Sequence, residues 1–348
     1  MLLSSHGHWH LVQKHWLPRH RRARPSAALD DLERIIAQSA AKRKSISHCG
    51  HDLIELVGSP PPVMSTSMPN PWLSRRLLNY AHQGGAKEAP SSTMHAFRSA
   101  VANGADALEM DVHATSDGHL VVCHDATVDR TTDARGRIAD MTLEQLGPLD
   151  NAYWFVPGIE CSFDAQPHEY TLRGRAPRDH DFGIATLREV LESFPDVFLN
   201  LDIKETYPQG PGYEDLVANL LHEFGRTDDV IVASFHDVAL ERFHAIAPNV
   251  HTSLGPSDTT ELWRFVNQGA ERPTFGPHQV AVQPPEKMAG LTVVDPRFVE
   301  GAHDLGLAVH VWTIDDAAGM IRQLQSGVDG IITNTPQILT QVLRASRS

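Results

Sequence analysis

The chain has 348 residues and is 41% hydrophobic, enough for one large globular domain or two medium ones and too apolar for a disordered chain. Its net charge of −13 argues against a general nucleic-acid binder. Three widely spaced cysteines (Cys49, Cys123, Cys161) without a CxxC argue against a disulfide framework or a structural zinc site, and no apolar stretch approaches the ~20 residues of a membrane span.

Residues 1–70 stand apart. They carry nine Lys/Arg against five Asp/Glu, a balance of +4, so the remainder carries −17. They also hold seven of the 21 histidines and the breaker stretch "GSPPPVMSTSMPNP". This composition predicts a flexible N-terminal extension with one short amphipathic helix around "SAALDDLERIIAQSAAKRK", capped by Ser26. The His6, His8, His10 alternation offers adventitious metal ligands, and Met64 and Met68 are alternative starts just ahead of the regular part. "HLVQKHW" is broken by charge and followed by "RHRRARP", so it lacks a signal-peptide core. Together with the cysteine usage, this makes the cytoplasm the expected location.

From residue 71 to 348 the pattern becomes regular. Strand-like runs fall at 77–82 ("LLNYAH"), 107–112 ("ALEMDV"), 197–204 ("VFLNLDIK"), 230–235 ("VIVASF"), 250–255 ("VHTSLG"), 279–283 ("QVAVQ"), 308–314 ("AVHVWTI") and 330–334 ("GIITN"). Amphipathic stretches such as "SSTMHAFRSAVANG" and "DAAGMIRQLQSG" separate most of them, and Gly104, Gly225, Gly306 and Gly327 sit at the expected helix C-caps. Eight β-α units in this length predict an α/β fold, a closed (β/α)8 TIM barrel. About 80 residues separate the second and third strands. They contain a hairpin signal ("DGHLVVCHD") and a helical stretch ("IATLREVLESF"), and residues 125–180 read as an insertion roofing the C-terminal face, where barrel active sites lie.

The polar residues at the strand ends carry the chemistry. Strand side chains alternate, so Glu109 and Asp111 share a face at the second strand's end, and Asp202 and Lys204 share one at the third. Converging carboxylates repel unless neutralised, and paired oxygens suit Mg2+ or Ca2+. His82 ends the first strand, and His124 follows "HLVVC"; two histidines beside such a site read as general acid and general base. The set suits displacement at a phosphoryl centre, with the metal and Lys204 holding the phosphate charge. Asp125 either orients His124 or caps a turn, Arg130 braces its loop, and Gln283 and Ser234 face the mouth by position. Cys123 reads as a buried small apolar residue.

The segments "AHQGG…APSSTMHAF…GADALEMDVHATSDGHLVVCHDATVDRTT", "LNLDIK" and "VHVWTIDD…GVDGIITNTP" resemble the glycerophosphodiester phosphodiesterase family, and the resemblance covers about residues 77–336. It implies a metal-dependent TIM-barrel enzyme that hydrolyses phosphodiesters of glycerol and related head groups. Carried over, the metal ligands are Glu109, Asp111 and Asp202, the acid/base pair is His82 and His124, Lys204 contacts the phosphate, and Trp312 lines the head-group or glycerol pocket. Three positions depart from the family pattern. Gln83, a substrate-binding candidate beside His82, stands where the family has arginine, Ser91 where it has glutamate, and Asp202 where it usually has glutamate. Related sphingomyelinase D enzymes use aspartate at that third position, which keeps lysophospholipase D-like cleavage open as an alternative. The loss of both Arg and Glu suggests a pair whose charges support each other. It also keeps a catalytically silent barrel binding a phosphorylated metabolite as a rival. The aromatic stretch "NAYWFVPGIECSF" (151–163) reads either as packing of the insertion or as a surface for transient membrane contact with a lipid substrate.

Overall fold

A computed structural model describes residues 70–347 except 76, 177, 208 and 209. The extension expected over residues 1–70, with its helix, histidine alternation and Cys49, therefore lies almost wholly outside the described residues. All eight expected strands form: β1 (Leu78–His82), β2 (Ala107–Ala114), β3 (Phe198–Ile203), β4 (Val230–Ala233), β5 (His251–Ser253), β6 (Gln279–Val282), β7 (Ala308–Val311) and β8 (Gly330–Thr333). Each pairs in parallel with its sequence neighbours, and β1 pairs with both β8 (Leu78↔Gly330) and β2 (Tyr80↔Ala107), which closes the ring. The fold is a closed eight-stranded TIM barrel with helices between the strands.

Alternation decides what each strand buries. Leu108, Met110 and Val112 of β2 pack against the surrounding helices, and each is fully buried. Such side chains contribute about 1.5–3 kcal/mol apiece. Ala107 faces the barrel interior, and Glu109 and Asp111 share that face. The small interior residues Ala107, Ala281 and Ala308 leave room for Tyr80 and for Trp72, which enters from below. Trp72 lies in the short turn Pro71–Leu73; its indole N–H donates to His251 Nδ1 (2.9 Å), and its ring meets Phe198 edge-on at the lower ends of β5 and β3. Asn70 donates to the carbonyls of Val280 and Gly306, fixing this plug. The four glycines expected at C-caps all adopt positive φ, as a left-handed cap demands.

The long β2–β3 connection carries a third, antiparallel strand, Leu120–Val122, that pairs with the end of β2 (Val112↔Val122), and later the helix Leu187–Ser193. Between them lies a two-stranded hairpin, Phe155–Val156 with Glu160–Cys161. None of the residues lining the mouth cavity comes from 125–180, so the insertion forms no part of the cavity wall. Its aromatics explain why. Trp154 packs edge-on against Tyr153, Phe163 and Tyr170, while the Arg173 guanidinium lies over Tyr153, Trp154 and Tyr170. Trp154 also donates to the Thr132 carbonyl (2.7 Å), and Phe155 is buried, so the stretch is mainly packing, with Phe163 exposed. No helix among the described residues is long and apolar enough to cross a membrane.

Candidate active site

The open end of the barrel holds a cavity of about 180 Å³. One wall is polar: His82 from β1, Glu109 and Asp111 from β2, Asp202 from β3, Lys204 just beyond it, and Gln283 after β6. The other includes Phe235, Leu254 and Trp312, with Phe235 and Trp312 meeting edge-to-face at 5.8 Å. His124 completes the rim. Eight of the nine residues singled out from the sequence therefore converge on one space. The exception is Gln83, which is 3% exposed and takes positive φ. That backbone turns its side chain behind His82, with Nε2 3.2 Å from His82 Nε2, while its N–H donates to Glu109. Gln283 is held by Asn200 (3.0 Å) and His310 (3.3 Å), and its carbonyl accepts the Trp312 indole N–H (2.6 Å). Ser234 lines the cavity but spends its hydroxyl on the Ile203 carbonyl (2.7 Å), a structural bond. Cys123 is buried, and burial pushes its thiol up to about 12.

The charges below the cavity are dense. Lys204 Nζ lies 2.8 Å from Asp111 and 3.1 Å from Asp202. Burial alone would discharge the lysine, but these two carboxylates outweigh it and hold the ammonium well above its usual range. Burial would also raise Asp111, yet Lys204 with His124 and His82 drives its carboxyl well below the usual range. Glu109 lacks such a partner. Burial first, and the Asp111 charge second, push it up to about 8. Its neighbour His82, 3.7 Å away, is raised as well, because Glu109, Asp111 and the Asn334 bond outweigh desolvation.

Both histidines are oriented through Nδ1. Asp315 accepts from Asn334 Nδ2 (3.0 Å) and the Asn334 N–H (2.8 Å), so the amide oxygen of Asn334 faces His82 Nδ1 at 2.7 Å. That oxygen can only accept, which puts the proton on Nδ1 and leaves the Nε2 lone pair to accept from the Gln83 amide at 3.2 Å. Lys87 closes the chain at 2.7 Å from Asp315. His124 Nδ1 donates to Asp125 (2.6 Å), and Asp125 accepts from Arg130 Nε (3.0 Å), so Asp125 orients the ring and Arg130 braces Asp125. Sequence reasoning missed Asn334, Asp315 and Lys87. The signal was present, since Asn334 ends the run "GIITN" as His82 ends the first.

A divalent cation is tested by the oxygens themselves. Asp111 Oδ2 and Asp202 Oδ1 are buried and have no hydrogen-bond partner among the described residues, a costly state that a cation would relieve. Three hard carboxylates suit Mg2+ or Ca2+. Among the described residues no three such side chains are already gathered to hold an ion, and Lys204 bridges Asp111 and Asp202, so binding requires the lysine to give way.

The sequence profile of the glycerophosphoryl diester phosphodiesterase family matches residues 82–338. A glycerophosphodiester phosphodiesterase of Caldanaerobacter subterraneus subsp. tengcongensis is 32% identical over 77% of this chain and 98% of its own length. One from Bacillus subtilis is 28% identical over 81% and 91%. Among solved structures, the glycerophosphoryl diester phosphodiesterase domain of Rv2277c from Mycobacterium tuberculosis superposes with a TM-score of 0.63 at 19% identity, covering 77% of this chain and 99% of that one. An Oleispira antarctica phosphodiesterase, solved with its product sn-glycerol-3-phosphate, gives 0.57 at 21%, covering 78% and 99%. With a profile spanning most of the barrel and a relative matched along nearly its whole length, this chain belongs to the glycerophosphoryl diester phosphodiesterase family.

Proposed function

We propose that this chain hydrolyses glycerophosphodiesters to an alcohol and glycerol 3-phosphate, with His82 as general base and His124 as general acid. One observation carries the reading. Two histidines with ring centroids 6.4 Å apart, each engaged through Nδ1, flank a cavity based on three carboxylates and a lysine. The names of the relatives support the substrate class. His82 Nδ1 hydrogen-bonds a neutral amide, so its Nε2 lone pair, released from the Gln83 amide when substrate enters, takes a proton from the attacking oxygen, either water or the neighbouring glycerol hydroxyl. His124 hydrogen-bonds a carboxylate that stabilises the imidazolium, so its Nε2–H protonates the departing alkoxide as the P–O bond breaks. Lys204 and the Phe235–Trp312 wall position the diester. Glu109, Asp111 and Asp202 would hold Mg2+ or Ca2+, which when bound supplies positive charge against the phosphoryl oxygens.

A second reading, release of the head group from a lysophospholipid at a lipid surface, is favoured by one feature. Of six exposed large apolar side chains among the described residues, five (Ile159, Phe163, Tyr207, Val238, Leu291) lie in segments at the open end of the barrel. One assay separates these readings from a silent barrel. The protein is given glycerophosphocholine and lysophosphatidylcholine in parallel, with Mg2+ or Ca2+, and released glycerol 3-phosphate, choline and lysophosphatidate are measured. Turnover of neither substrate would sink the hydrolase reading.

A further inference from the structure

The hairpin of the insertion touches both histidine supports without reaching the cavity. On one side, Glu160 pairs with Arg130, whose Nε holds Asp125, whose other oxygen holds His124. On the other, the Gly158 N–H donates to the Lys87 carbonyl (2.7 Å), and the Lys87 side chain begins the chain through Asp315 and Asn334 to His82. Trp154, on the approach to the hairpin, is tied to Thr132 in the His124 loop. Two loops that are far apart in sequence are thus bridged by one short element.

Glu160 carries a second peculiarity. It holds φ at +89°, a conformation that side-chain-bearing residues rarely adopt. Glycine would take it freely, as Gly158 does two residues earlier. A strained glutamate persists where the surrounding contacts over-determine it, and such strain concentrates at functional sites. Among the described residues Glu160 pairs with Arg130 alone, and the carboxylate is partly buried there, at 25% exposure.

We propose that the hairpin Phe155–Cys161 is a clasp that sets the two histidines relative to each other, and that Glu160 is a positioning residue for His124, acting through Arg130 and Asp125. The proposal rests on the assignment of His124 above. Without the Glu160 carboxylate, Arg130 keeps its bond to Asp125 but loses its second anchor, so Asp125 is held less firmly and the His124 ring explores unproductive geometries. Substrate contacts are untouched, so the loss falls on turnover and not on binding.

The test is Glu160→Gly, with Glu160→Asp as the conservative variant. Glycine removes the carboxylate and also relieves the backbone, so stability is expected to hold or rise while kcat falls by about tenfold or more and KM moves by less than about threefold. Glu160→Asp, which keeps the charge, recovers part of kcat. The second readout is the downfield Nδ1–H proton resonance of His124, identified by its absence in His124→Gln. It is expected to shift or broaden in Glu160→Gly and to recover toward wild type in Glu160→Asp. A resonance left unmoved, or a kcat within about twofold of wild type in Glu160→Gly, overturns the clasp. If the wild-type protein hydrolyses no diester, the proposed function fails, and the resonance alone still decides for or against the clasp.

Discussion

Exchanging Asn334 and Asp315 tests how His82 is held. Asn334→Asp places a second carboxylate where the amide nitrogen now sits, 3.0 Å from Asp315 Oδ2. Two unit charges at that distance repel by about 5 kcal/mol at an effective dielectric of about 20. Lys87, at 2.7 Å from the same oxygen, and the partial exposure of Lys87 (34%) and Asp315 (22%) screen more than half of this. The single substitution should therefore cost about 2 kcal/mol of stability. Asp315→Asn alone loses the Lys87 pair and the acceptor that fixes the Asn334 amide, about 1 kcal/mol. The double exchange restores one charge, one amide and an acceptor for His82 Nδ1–H, so it should recover about 2 kcal/mol relative to the sum of the singles, while kcat stays low because His82 Nδ1 then faces a carboxylate. Urea unfolding of the four proteins, with kcat on glycerophosphocholine alongside, reads the cycle. Additivity to within about 0.5 kcal/mol would refute the argument that these two side chains act as one support.

Other outcomes follow from the site. His82→Ala and His124→Ala should each cut turnover by about 10²-fold or more with the urea midpoint nearly unchanged, and full activity in either removes that residue from the chemistry. Lys204→Met leaves the buried Asp111 and Asp202 uncompensated and should destabilise the chain by about 3–5 kcal/mol, with added Mg2+ or Ca2+ raising Tm more than in wild type. No metal response in either protein would argue against the three-carboxylate site. Gln83→Arg or Ser91→Glu alone buries a single charge at a position only 3% exposed and should impair activity, while the pair together should recover it. If the singles match the double, the coupling is wrong. Burial alone would raise Asp125, but the His124 hydrogen bond and the Arg130 charge hold it down to about 2. A depressed carboxyl stabilises the fold above its unfolded pKa of about 4, and that contribution is lost as pH falls from about 4 toward 2. Asp125→Asn should thus lose less stability than wild type between those limits, as compared by urea midpoints.

Much of this was legible in the residues because the strand period is strict. Once "ALEMDV" is a strand, Glu109 and Asp111 must share a face, and the same holds for Asp202 and Lys204. The parts that escaped depend on loop geometry, which no period governs. Gln83 reads as a mouth residue from its place after His82, but positive φ turns it behind the histidine. The insertion reads as a roof from its length, but none of its residues lines the cavity, and Trp154, Tyr153 and Tyr170 pack around Arg173 within it. Asn334 was reachable by applying the strand-end argument to the eighth strand. Asp315 and Lys87 were not, because Asp315 meets Asn334 through a loop, and Lys87 meets Asp315 across 228 residues of chain.

The Trp72 plug gives the barrel a single door. With the buried indole at the lower end and Asn70 pinning it to the Val280 and Gly306 carbonyls, the described residues close that end of the axis. Substrate, alcohol and glycerol 3-phosphate must then share one entrance and take turns. An anionic product lingering near Lys204 blocks the next diester, so glycerol 3-phosphate should inhibit competitively, and the pace of its departure sets a ceiling on turnover that no improvement of the histidines can lift.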